Sequence, residues 1–220
     1  MRRLAMLSLV ALLSVAACGQ KAANGGEGAK PAAGGGMAAV FPNLFQTNFR
    51  AEATVTGSDE KSMPVVMIRS GHKLRMELTN REGEQIMIMN PDDHEMLMIG
   101  SHAGQRMALR VPNLDIPDPT AKWQGDVATH AHATGPCMAA GEMGTRWEGQ
   151  DDDGKPVTAC VTGDGVILNA TNDGRTVWET THVTRGPQDP ALFAAPAGVR
   201  VMNLGPGAAA ALSHLERRKP

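Results

Sequence analysis

From Phe49 onward the chain alternates. Phe49, Ala51, Ala53 and Val55 are interleaved with Arg50, Glu52, Thr54 and Thr56, the period-two signature of a strand with one wet face. After a polar turn from Gly57 to Lys61, the segment Val65 to Arg69 predicts a second strand. Leu74, Met76 and Leu78, set against Lys73, Arg75 and Glu77, predict a third beyond Ser70-Gly71. The next hairpin breaks the pattern. Ile86-Met87-Ile88-Met89, the turn Asn90-Pro91-Asp92-Asp93 and Met96-Leu97-Met98-Ile99 are apolar on both faces, so this hairpin is expected to be covered on both sides. Met87 and Met89 share one face and Ile86 and Ile88 the other. Gln105 to Val111 returns to mixed polarity, and the meander stops at Pro112.

Upstream, Val40, Leu44 and Phe45 follow a helical spacing with Pro42 near its start, which predicts a short helix within Val40–Asn48. Downstream, three prolines make Pro112–Thr120 a connecting loop. Candidate strands then follow at Asp126–Thr134, Cys137–Ala140, Thr145–Gly149, Val157–Thr162, Val166–Ala170 and Val177–Thr184. The turns between the later ones, Asp151-Asp152-Asp153-Gly154, Gly163-Asp164-Gly165 and Asn172-Asp173-Gly174, carry hairpin chemistry. Beyond Pro187 a short turn carrying Phe193 and a last strand at Val201-Met202 complete the pattern. The spacing is that of an all-β barrel or sandwich.

The ends read differently. Arg2 and Arg3, an apolar run from Leu4 to Val15 and small residues before Cys18 form a secretory signal, too short to span a membrane. Residues 18–40 hold Cys18 and a stretch, Gly19–Ala39, that is mostly Gly, Ala, Lys and Asn with almost nothing to bury, which predicts a flexible tether of about 25 Å r.m.s. span. The stretch 41–204 is the length of one domain, and 205–220 is read as a tail with Leu212, Leu215 and a basic end. Without Arg2 and Arg3, Lys plus Arg falls from 21 to 19 against 23 acidic residues. No basic stripe or aromatic stacking set points to nucleic acid, and tyrosine is absent.

Two resemblances add to this reading. Val15-Ala16-Ala17-Cys18 resembles the lipobox of bacterial lipoproteins, which implies lipidation of Cys18. Gly19 stands where the family's inner-membrane retention signal has Asp, so the resemblance implies an outer-membrane anchor facing the periplasm. The apolar hairpin, the segment Cys-Val-Thr-x-Asp-Gly-Val-x-Leu at Cys160–Leu168 and the Asp-Pro-x-Leu-Phe-x-x-Pro-x-Gly ending look like periplasmic domain families related to the outer-membrane lipoprotein carrier superfamily. That likeness covers about 49–204. It implies an antiparallel half-barrel whose concave apolar face takes an acyl chain or an apolar partner segment, often under a helical lid. The carriers proper are soluble and have helices among their strands, whereas this chain offers only the proline-rich loop.

With Cys18 used, Cys137 and Cys160 are the two cysteines left, and an oxidising compartment favours their pairing. The Asp151–Gly154 tract is not a calcium loop: with Gly154 in the glycine place, the first ligand would fall on Gly149 and the bidentate one on Cys160. His130 and His132, two apart on an expected strand, are candidates for copper or zinc, against the alternative of an exposed polar face. Seven of the fourteen methionines fall on the strands predicted for the meander. Their uses are core packing, an adaptable apolar groove walled by Met67, Met76, Met87, Met89, Met96 and Met98, or soft-metal binding. Nucleophile elbow, zinc-protease, phosphate-loop and dinucleotide motifs are all lacking, so neither catalysis nor a cofactor is expected. The sequence therefore predicts a lipid-anchored binding or scaffolding protein, with a metal-handling or purely structural envelope protein as alternatives.

Overall fold

The computed structural model describes residues 39–80, 83–102, 104–112, 118, 120–121 and 123–205. Cys18, the tether, most of the proline-rich loop and residues 206–220 lie outside them. Twelve strands form one sheet: β1 (Phe49–Thr56), β2 (Ser62–Ser70), β3 (Lys73–Asn80), β4 (Gly83–Asn90), β5 (Glu95–His102), β6 (Gln105–Pro112), β7 (His132–Ala139), β8 (Glu142–Gln150), β9 (Pro156–Val161), β10 (Ile167–Asn172), β11 (Arg175–Arg185) and β12 (Arg200–Asn203). Their spatial order is β12-β6-β5-β4-β3-β2-β1-β11-β10-β9-β8-β7. Two antiparallel meanders, β1 to β6 and β7 to β11, are thus joined where β1 pairs with β11. The outer strands β12 and β7 do not meet, so the sheet is an open half-barrel.

Pairing register decides which side chains share the inner face. Ala51 stands opposite Met67, Met67 opposite Met76, Met76 opposite Met87 and Met87 opposite Met98. A parallel row runs Phe49, Arg69, Leu74, Met89, Met96, Val111. Apart from Met98 and Arg69, these rows pack with Val166, Leu168 and Cys160 from the second meander in one cluster, which identifies this face as the inside of the curl.

The double-apolar hairpin is covered on its other face by the C-terminal segment. Ile86, Ile88, Leu97, Ile99 and Ala108 are buried under Phe193, Ala195, Val199 and Val201. Residues 190–193 form a 3-10 turn capped by the Asp189 side chain, which accepts from Ala191 N. Arg75, buried on the outer face, donates to the Leu192 carbonyl at 2.9 Å and to Glu77 at 2.7 Å. Burying each of the isoleucine and leucine side chains here contributes about 1.5–3 kcal/mol. Because this strap crosses the outside of the sheet before returning, β12 lies parallel to β6, the one departure from antiparallel pairing among the described strands, as a crossover connection requires.

Two expectations are corrected. Val40–Asn48 is no helix: Leu44–Gln46 form a turn, because the side chains of Phe41 and Leu44 are drawn into a second cluster with Trp147, Ala159, Val161 and Ala170. Asp126–Thr134 is no strand until His132. Residues Trp123–Val127 are π-helical and Ala128–His130 α-helical, so Trp123, Val127 and Ala131, four apart, sit on one side of the segment. Val127 is buried there, and Trp123 and Ala131 join the second cluster. Among the described residues no helix is long and apolar enough to cross a membrane.

Candidate functional site

Inside the curl, at the junction of the two meanders, lies a cavity of about 210 Å³. Its walls come from β1 (Phe49, Ala51, Val55), β2 (Met67, Arg69), β10 (Ile167, Ala170) and β11 (Val177, Trp178). Leu44, Thr120 and Trp123 line it from the other side and cover it in part. The small residues Ala51 and Ala170 leave the space that larger ones would fill. For scale, an apolar cavity of about 150 Å³ stays dry and holds one benzene. This one therefore matches a short alkyl stretch or one large side chain.

The cover is held by specific bonds. Leu44 N donates to Gln124 Oε1 at 2.5 Å, Thr47 Oγ1 to the Asp164 carbonyl at 2.7 Å and Gln46 Nε2 to the Gly163 carbonyl at 3.2 Å. Phe41 stacks on Trp123 and meets Trp147 edge-on at 5.0 Å. Trp178 has its polar edge satisfied within the wall: Nε1 donates to Thr180 Oγ1, which donates to the Ile167 carbonyl.

One wall residue is charged. Arg69 is fully buried, its guanidinium 5.0 Å above the Phe45 ring. Nη2 donates to Asp118 Oδ2 at 2.7 Å and to Thr120 Oγ1 at 2.8 Å, and Thr120 in turn donates its hydroxyl and its N–H to Asp118 Oδ1. Arg69 Nε and Nη1 have no hydrogen-bond partner among the described residues. The alternation pattern placed Arg69 on a strand but did not reveal its direction. Its parity with Val65 and Met67, both apolar, was the available signal.

Of the six methionines expected to wall a groove, Met67 lines the cavity. Met76, Met89 and Met96 are buried in the inner cluster, and Met87 packs half-buried against it. Met98 is 47% exposed. The apolar space therefore lies at β1, β2, β10 and β11, away from the β4–β5 hairpin. Cys137 and Cys160 are disulfide-bonded with Cα atoms 6.0 Å apart. His130 ends the helical segment and His132 opens β7, so they do not share a strand face; both border a shallow surface cleft with Glu148, Asp151 and Asp152. Among the described residues no three His, Cys, Asp or Glu side chains are grouped to hold a metal.

No protein-family model matches this chain, and no curated protein sequence matches it. Solved structures do. An uncharacterized conserved protein from Thermus thermophilus aligns over 73% of this chain and 93% of its own, at 12% identity and a TM-score of 0.52. MucB, in the MucA/MucB complex of Pseudomonas aeruginosa, aligns over 73% of this chain and 59% of its own, at 13% identity and a TM-score of 0.47. The Thermus likeness is one of fold.

Proposed function

We propose that this protein is an envelope binding or scaffolding protein, tethered through a lipid on Cys18, whose covered cavity takes an apolar group from an acyl chain or a partner segment. The observation that carries the reading is the cavity itself: a partly covered, apolar space kept open by Ala51 and Ala170 beneath separate chain segments. A core meant only for packing is expected to fill such a space, since each void forfeits contacts. The disulfide supports an oxidising compartment, and the residue order before Cys18 supports lipidation; labelling with a palmitate analogue should mark the wild type and not Cys18→Ser.

Trp123 and Trp178 in the cavity wall give a direct assay. A bromoalkane quenches tryptophan on contact, so 1-bromohexane should quench the wild type saturably. Ala170→Phe, which fills the space, should lose that quenching while keeping its β-sheet circular dichroism. Absence of saturable quenching in the wild type would refute the binding reading.

A further inference from the structure

We infer that the cavity recognises the occupant's polar end as an uncharged acyl carbonyl, an ester or amide, through Arg69. The inference rests on the cavity being a binding site, and it follows from the donors of one side chain. A guanidinium has five N–H groups. The two on Nη2 are taken by Asp118 and Thr120, and Nε and Nη1 are left without a hydrogen-bond partner among the described residues. The Phe45 face answers part of the charge, but a ring face is a poor substitute for an oxygen. Buried donors without acceptors are costly, and here they belong to a residue of the cavity wall. An occupant carrying an acceptor oxygen would relieve that cost.

Charge decides which oxygen. Asp118, 2.7 Å from Nη2, already balances the guanidinium. A carboxylate or phosphate end would leave a net negative charge in an apolar, covered site, where an uncompensated charge is strongly disfavoured. A carbonyl oxygen accepts the same hydrogen bonds and brings no charge. A wholly apolar occupant would leave the donors as they are. The site therefore selects the linkage by which acyl chains are attached to larger molecules, rather than the free acid.

The test uses three probes with one bromohexyl body: 1-bromohexane, methyl 6-bromohexanoate and 6-bromohexanoate, each read by quenching at pH 7. Arg69→Met/Asp118→Asn removes both charges together, so no carboxylate is left unpaired; Arg69→Lys keeps the charge but removes the fork of donors, and serves if the double variant does not fold. On the wild type the ester should bind more tightly than the anion. The ester should weaken at least tenfold in the variant while 1-bromohexane stays within twofold. Equal changes for ester and bromoalkane, or tightest binding by the anion, would overturn the carbonyl assignment and leave the cavity reading intact. Failure of 1-bromohexane to quench the wild type would remove the cavity reading itself.

Discussion

Gly165 backs directly onto Asn43: a Cβ built at Gly165 would overlap the Asn43 carbonyl oxygen and press on its carbon and on Leu44 Cα. Gly165 also has φ +87, a conformation that side chains resist. The turn between β9 and β10 and the cover over the cavity are therefore fitted to each other at this point. Gly165→Ala should lose about 1–3 kcal/mol from backbone strain alone and displace the segment around Leu44. The variant is expected to melt earlier and to show faster hydrogen exchange at Leu44 N, whose partner is Gln124. Unchanged exchange there would contradict the coupling.

The disulfide makes a second prediction. β7 and β9 are not neighbours; β8 runs between them, and Gly144 on β8 pairs with Cys137. A Cβ on Gly144 would lie 2.8 Å from the Val161 carbonyl oxygen and 3.1 Å from Cys160 Sγ, so the bridge crosses β8 where a side chain is missing. Reduction should cost about 3 kcal/mol in the chain-entropy model, and Gly144→Ala about 1–3 kcal/mol from overpacking. Denaturant melts with and without reductant measure both, and a reductant-insensitive midpoint would contradict the first.

The two faces of the central hairpin predict different mutational costs. Ile88, 2% exposed beneath the C-terminal strap, should lose about 2–5 kcal/mol on Ile88→Ala. Met98→Ala, at a half-exposed site, should stay within about 0.5 kcal/mol. Comparable losses at both positions would mean that Met98 is covered in solution.

Acid should weaken the packing within the second meander. Arg185 on β11 binds Asp164 in the β9–β10 turn and Glu142 on β8. The hydrogen bonds from Arg185 hold the Asp164 carboxyl below its usual range. A depressed folded pKa means that the stabilisation is present above about pH 4, the unfolded value, and is lost as pH falls through the folded one. Asp164→Asn should flatten the stability profile below that pH; an unchanged acid limb would show that the pair contributes nothing.

The strands were legible because one wet face imposes alternation, as at Phe49 to Thr56, and because glycine turns such as Asn172-Asp173-Gly174 fix hairpins. The double-apolar hairpin correctly signalled two covers, but not their origin. Val199 and Val201 lie about a hundred residues away from Ile88 and Ile99, and pairing at that range leaves no local trace. The site was less legible for the same reason. Its walls combine Ala51 and Arg69 with Ala170 and Trp178, joined only when β1 pairs with β11. Methionine content pointed to the inner face of β2 to β5, whereas the space depends on two alanines whose smallness carries no pattern. The four-residue spacing of Trp123, Val127 and Ala131 is compatible with the helical segment found there, although Asp126–Thr134 was expected to be a strand.

Diffraction from crystals soaked in 1-bromohexane, recorded at the bromine absorption edge, would show directly whether the cavity takes an apolar occupant. A bromine peak is expected within the cavity, in contact with Ala170, Met67 and Trp178, and should be lost in Ala170→Phe. An empty cavity, with bromine found only beside exposed residues such as Met98, would contradict this expectation.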